Sequence, residues 1–315
     1  MSWRRIASIA TGIVGVAIAV YLVASDDTAI DALSRVAIWT LAAVLGVQVV
    51  NVVTDSVRYW MVLPARFRAP LPLWRWHHIF SVGRLLNLIV PQAGAAYRAA
   101  RLKLGHGVPV STYFGSVVAI TWLGNGVALL AAALAVTVYG EAVAGLLIAG
   151  AGVVILAAIW ALPRLPWFSE GRAPSWFSDR AVAIVRNFGE AFRELGAKGG
   201  RLGPVLGVSI VSQLAGLTAY VLAVAALGAD RPVVVGSVIY TATTIATVVS
   251  LSPGGLGITE LTAGLAGAAL DFGSGSAVLA AFIIRVTGIA SVAGLALISG
   301  LLTETAPPTP ASRDG

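Results

Sequence analysis

The chain has 315 residues, of which 58% are hydrophobic and 11% charged, with a net charge of +7, three histidines and no cysteine. A mean hydropathy of +0.89, set against the roughly 25% charged residues of a soluble domain, points to an all-α polytopic integral membrane protein. The basic residues flank apolar runs instead of gathering with stacking aromatics on a soluble surface, so no nucleic-acid partner is expected. Without cysteine there are no disulfides, thiol catalysis or Cys-ligated zinc, and His77, His78 and His106 make a poor metal set. No metal and no cofactor are expected.

A spanning helix needs about 20 mainly apolar residues. In chain order such runs lie at about 6–24, 36–57, 111–138, 143–162, 204–228 and 276–302, and two further apolar stretches, 77–97 and 232–271, are interrupted. The first run has the basic start and small-residue exit of a cleaved signal peptide, but at about 18 residues it is long for one, and it reads as the first span. Trp74, Trp76, His77 and His78 read as an interfacial belt, with metal binding by the histidines as the alternative. Within "SWFSDRAVAIVRNFGEAFREL", Phe177, Ala181, Ile184, Phe188, Phe192 and Leu195 recur at helical spacing. That predicts an amphipathic helix near 175–195 on the inner leaflet, or a partner-docking helix. Residues 305–315, "APPTPASRDG" with its preceding Thr, read as a disordered tail after a single transmembrane domain over 1–304.

Cytoplasmic loops collect Lys and Arg. Arg4 and Arg5 start inside; Asp26, Asp27 and Asp31 fall outside; Arg58, Arg66, Arg68 and Arg75 return inside with Arg101 and Lys103; Glu141 lies outside. The 162–203 stretch is inside and the Asp230–Arg231 pair outside. This orientation puts both termini in the cytoplasm. Residues 77–98 then begin and end on the cytoplasmic side while 232–271 begin and end outside, so both read as re-entrant hairpins. The order span, span, hairpin, span occurs twice, in pseudo-halves of about 1–140 and 141–304, entering from opposite faces: an inverted repeat.

The hairpins share an echo. "NLIVPQAGAAYR" and "VVSLSPGGLGITE" each place an apolar run before a Pro and Gly, then a charge seven residues after the Pro: Arg98 and Glu260. Backbone that leaves a helix at membrane depth is tolerated only where protein or a watery cavity satisfies it. Pro253 ends a helix, Gly254, Gly255 and Gly257 let the chain turn and approach a ligand, and a new helix starts near Ile258 with N–H groups suited to a phosphate. The alternative is a Gly-rich turn outside the bilayer. Gly255 and Gly257 are expected to tolerate side chains less well than Gly264 and Gly267. Arg84 and Asn87, one turn apart, are candidates to line a cavity, although a lone Arg near a helix end also snorkels.

"SPGGLGITE" followed by "LAAFIIRVTGIASVAGL", with the earlier "VPQAGAAYRAARL", resembles the lysylphosphatidylglycerol synthase transmembrane region family, a flippase-like domain, over about 36–302. Where the family commonly has Pro-Gly-x-x-Gly-Glu-x-x-Arg, this chain has Pro91, Gln92, Gly94, Ala95 and Arg98; where the family often has Glu-Arg-x-x-Asp, it has Thr121, Trp122 and Asn125. Where those charges pair with one another in relatives, losing them together avoids leaving a buried charge unpaired. Glu260 and Arg285 keep positions that match the family pattern.

Arg285 lies about ten residues inside an apolar span, where an isolated Arg costs at least ~2.5 kcal/mol. It and Glu260 form either a lipid-headgroup or coupling-ion site or an ion pair that pins the second hairpin to the last span. Arg98 either contacts a phosphate or anchors at the interface. The resemblance implies a transporter of a polar, phosphate-bearing membrane lipid in the cell membrane, with Arg84, Asn87, Gln92, Arg98, Pro253, Gly254, Gly255, Gly257, Glu260 and Arg285 as candidate headgroup residues. No catalytic residue is assigned. The alternatives are a membrane module or partner of a lipid or glycolipid transferase, and a non-transporting scaffold; no paired Asp motif, Ser-His-Asp set or nucleotide-binding motif is present.

Overall fold

The computed structural model describes residues 17–68, 71–90, 92–161, 186–187, 189, 202–249 and 255–304. After helical residues 17–24 come α1 (Asp27–Arg35), α2 (Ile38–Val62), α3 (Ala65–Arg68), α4 (Leu73–Ile89), α5 (Ala93–His106) and α6 (Val110–Val138). Then follow α7 (Ala142–Ala161), α8 (Leu202–Ala226), α9 (Pro232–Val249), α10 (Ile258–Ala268) and α11 (Ser274–Glu304). The protein is an all-α polytopic membrane protein. Helices α2, α6, α8 and α11 are long and apolar enough to cross a membrane, and Gly145–Ala157 and Pro232–Thr247 form shorter apolar helical stretches. Most of the expected first span, all but 186–187 and 189 of the expected amphipathic helix near 175–195, and the tail from 305 lie outside the described residues.

The two interrupted stretches form helical pairs. At ~1.5 Å per residue, the 14 residues of α5 and the 11 of α10 reach about 21 and 16 Å, short of a ~30 Å hydrocarbon core. Each packs back on the helix before it, α5 on α4 and α10 on α9. The first turn passes through Gln92 in the left-handed region (φ 60). It is closed by the Gly94 amide, which donates to Asn87 Oδ1 at 2.7 Å, and by bare backbone: a Cβ on Gly94 would collide with the Gly83 carbonyl. The first pair runs from Leu73 to His106, longer at both ends than the apolar stretch 77–97, because its outer turns carry Arg and Lys that hydropathy does not count.

Packing repeats as the helix order repeats. α2 lies on α8, hairpin helix α4 lies on α11, and hairpin helix α9 lies on α6, so each hairpin meets the last helix of the other half. Small fully buried residues (Ala219 and Ala223 on α8, Ala263 on α10, Ala277 and Ala280 on α11) let the second-half helices approach closely. The first hairpin instead packs on large side chains, with Trp76, Phe80, Leu102 and Tyr113 buried together. Trp76 is therefore no interfacial residue: it is fully buried and its indole N–H donates to the Ser56 carbonyl at 2.7 Å. His77 Nδ1 meets Ser56 Oγ at 2.7 Å and His78 Nδ1 meets the Ala296 carbonyl at 3.1 Å, so the histidine pair ties α4 to α2 and α11. Helix α7 packs on α6 and leaves Val143, Leu146, Leu147 and Val154 exposed, an apolar face suited to lipid.

Candidate functional site

On α2 the polar residues Gln48, Asn51, Asp55 and Arg58 follow one another at spacings of three, four and three, which puts them on one face. That face borders a cavity of about 490 Å³ between the two halves, to which α4, α6, α8, α9, α10 and α11 also contribute. Among the described residues its charged lining residues are Asp55, Arg58, Arg84, Glu260 and Arg285. Three cations against two carboxylates leave one net positive charge.

In the first-half cluster Asp55 sits between two guanidinium groups. Arg58 Nε donates to Asp55 Oδ1 at 2.6 Å, Arg58 Nη2 pairs with the same oxygen, and Arg84 Nη1 reaches Asp55 Oδ2 at 3.1 Å. Arg58 is only 7% exposed. Its remaining nitrogen, Nη1, is buried with no hydrogen-bond partner, in space that exists because Gly124 on α6 has no side chain: a Cβ there would overlap Arg58 Nη1. Nearby, Ser212 Oγ is likewise buried and unpartnered.

The second-half cluster is saturated. Arg285 Nε donates to Glu260 Oε1 at 2.6 Å and its Nη2 lies 2.6 Å from the same oxygen. Glu260 Oε2 accepts from the Gly257 amide at 2.7 Å and from Thr259 Oγ1 at 3.0 Å. Glu260 is fully buried, which charge-assisted bonds to both oxygens make tolerable. The helix start at Ile258 has thus acquired an anion, but that anion is the protein's own carboxylate reaching back to the first turn. Tyr220 and Tyr240, with ring centroids 5.7 Å apart, line the cavity beside both clusters. Tyr240 donates to Gln213 Oε1, and Tyr220 OH accepts from Thr243 Oγ1 at 3.2 Å.

Of the candidate residues, Arg84, Glu260 and Arg285 come together on the cavity wall. Gly255 and Gly257 hold the turn beside it with φ of 73° and 82°. Pro253 and Gly254 lie outside the described residues. Asn87 is committed to capping α5 through Gly94, and Gln92 is exposed at the turn. Arg98 is not an exposed anchor: it is buried, its Nε donates to Tyr113 OH at 2.7 Å, and its guanidinium lies over the Phe80 ring at 5.5 Å. It faces the interior of the first hairpin because Gly83 leaves room for its head. Asp55 and Arg58 are the cavity residues that hydropathy passes over. Their signal is the polar stripe from Gln48 to Arg58, an acid and a base three apart on one face of an otherwise apolar helix.

The chain is thus an all-α membrane protein with two short helical hairpins and a charged cavity among its helices. The family model of the lysylphosphatidylglycerol synthase TM region matches residues 9–296, and the chain belongs to that family. No curated protein and no solved structure shows a significant match to it.

Proposed function

We propose that the protein is a lipid transporter of the cell membrane, carrying a phosphate-bearing headgroup between leaflets through the cavity while the acyl chains remain in lipid. The observation that carries this reading is the one net positive charge that the described lining residues give the cavity, with the Arg84 guanidinium partly exposed on its wall. A charge crossing the hydrocarbon core costs several kcal/mol. Guanidinium groups at depth replace the lost hydration of a phosphate with charge-assisted hydrogen bonds. The saturated Glu260–Arg285 cluster fixes the second hairpin against α11, leaving Arg58 and Arg84 to meet the phosphate. No covalent step on the lipid belongs to this reading, and the driving force is an ion gradient, a lipid gradient or a partner. Both termini and the 162–203 segment are cytoplasmic in this arrangement.

The test is leaflet exchange in liposomes reconstituted with the purified chain, using a tail-labelled phosphatidylglycerol and an impermeant quencher. Exchange above protein-free liposomes, lost in Arg58→Gln, supports transport. Chemical turnover of the added lipid without exchange would favour the transferase-module reading.

A further inference from the structure

We infer that helix α1 docks on the lipid surface, lying in the headgroup boundary of the leaflet at the end of the bundle where α11 begins, with Ile30 and Leu33 turned toward the acyl chains. The proposed orientation makes this the outer leaflet, but the inference rests neither on that orientation nor on transport.

With 9 residues α1 is about 13 Å long, too short to cross a ~30 Å hydrocarbon core. Extended backbone at Asp26 before it, and at Val36 and Ala37 after it, separates it from the helices on either side. The Asp26 carboxylate caps it, accepting from the Ala29 amide at 3.2 Å, and stands against the start of α11, where a Cβ on Gly275 would overlap it. Ala29 is fully buried, Ala32 and Val36 pack on the core formed around α8 and α11, and α1 lies against α11.

The apolar arc of α1 is wider than this packing covers. Ala32, Val36, Ala29, Leu33 and Ile30 follow one another around one side of the helix, and the core takes up the first three. Ile30 and Leu33 remain 49% and 47% exposed. The other side carries Asp31 and Ser34, both exposed. That is the layout of a helix lying at a membrane surface.

Of lipid, water and a second copy of the chain, continuity selects lipid. Ile38 and Trp39 follow α1 at the start of α2 and are 69% and 81% exposed. Ile38, Leu45 and Val49 are exposed along one face of α2, so the uncovered arc of α1 is continued by the surface that a membrane-crossing helix presents to acyl chains. Tyr21, on the helical segment that leads into α1, is exposed as well. Tyr and Trp collect at the headgroup level, and here one precedes α1 and one follows it. Charge does not drive the docking, because Asp26, Asp27 and Asp31 stand against Arg35 alone. Burial of apolar side chains holds the helix down.

The test places single cysteines at Ile30, Leu33 and Asp31 in the full chain, which has none of its own, labels each with a fluorophore and reads quenching in phosphatidylcholine nanodiscs, whose two faces are both open to buffer. Spin-labelled acyl chains report lipid, and aqueous iodide reports water. The ratio of lipid quenching to iodide quenching is expected to be at least about fivefold higher for Leu33→Cys and Ile30→Cys than for Asp31→Cys. It is expected to change by less than about twofold when about a third of the lipid is replaced by phosphatidylglycerol. If one apolar variant fails to fold, the other carries the same comparison. Equal ratios at the three positions overturn the inference, whichever quencher dominates. So does shielding of Ile30→Cys and Leu33→Cys from both quenchers, which would seat a second copy on this face, and so does docking seen only with the anionic lipid. No step of this measurement needs lipid exchange, so its failure leaves the transport reading standing, and a chain without exchange leaves the docking standing.

Discussion

Glu260 and Arg285 are held to each other by two contacts at 2.6 Å, and removing either one strands the other in a buried place. Glu260→Gln or Arg285→Gln alone is expected to cost about 3–5 kcal/mol of stability, and a double replacement by Leu and Met to recover much of it. Thermal unfolding in detergent measures both. The double variant is expected to fold and to keep exchanging lipid, because a cation and a carboxylate leave together and Arg58 and Arg84 remain on the cavity wall; a folded double variant without exchange would place the pair in the headgroup site. This pair was legible in the sequence because each charge stands alone in apolar surroundings. Asp55 and Arg58 were not, because they sit where the apolar run at 36–57 fades and Arg58 passes for a loop cation. Helix α2 runs on to Val62 and takes both inside. Gly124→Val tests their role, since its side chain must displace Arg58 Nη1. It is expected to lower exchange at least tenfold while Gly150→Val, at a position with open space around it, leaves exchange within about twofold. Equal effects would dissociate Arg58 from transport.

At the scale of the element, the hairpins depend on backbone that ordinary residues avoid. Gly255 and Gly257 have φ of 73° and 82°, where a β-branched residue is strained by a kcal/mol or more. Gly257→Val is therefore expected to lower thermal stability and exchange together, whereas Gly294→Ala on α11, with nothing near its missing Cβ, is neutral by both measures. Tolerance of Gly257→Val would make the turn an ordinary one. The positions Gly264 and Gly267, expected from the sequence to accept Ala, are poor controls: a Cβ on Gly267 would collide with Ala277, and one on Gly264 would lie 3.1 Å from Val278 Cγ2. Glycine in a turn announces itself through its neighbours Pro and Ser, but glycine at a helix crossing depends on which helix faces it. That partner, α11, is supplied only by the fold. The same limit hid the roles of Asn87 and Arg98, whose partners Gly94 and Tyr113 lie across a turn and on the next helix.

For the whole molecule, the order of helices in each half and the way each hairpin meets the opposite half's last helix set a cavity at the meeting place. The order of helices was legible from hydropathy and from the echo between the two Pro-Gly stretches, since the interrupted stretches stand at matching places along the chain. The cavity was not, because its lining is drawn from seven helices and no local pattern records their convergence. The orientation proposed from the clustering of Arg and Lys is easy to test because the chain has no cysteine. Single cysteines at Ser175 and Ser312 should be protected from an impermeant thiol reagent added outside intact cells and labelled after lysis; labelling from outside would invert the topology. The most direct measurement is leaflet exchange of tail-labelled phosphatidylglycerol in liposomes containing the purified wild-type chain or Arg58→Gln. A cavity that carries phosphate headgroups predicts exchange by the wild-type chain well above protein-free liposomes, and its loss in a folded Arg58→Gln. Undiminished exchange in that variant, or none in the wild type, would contradict it.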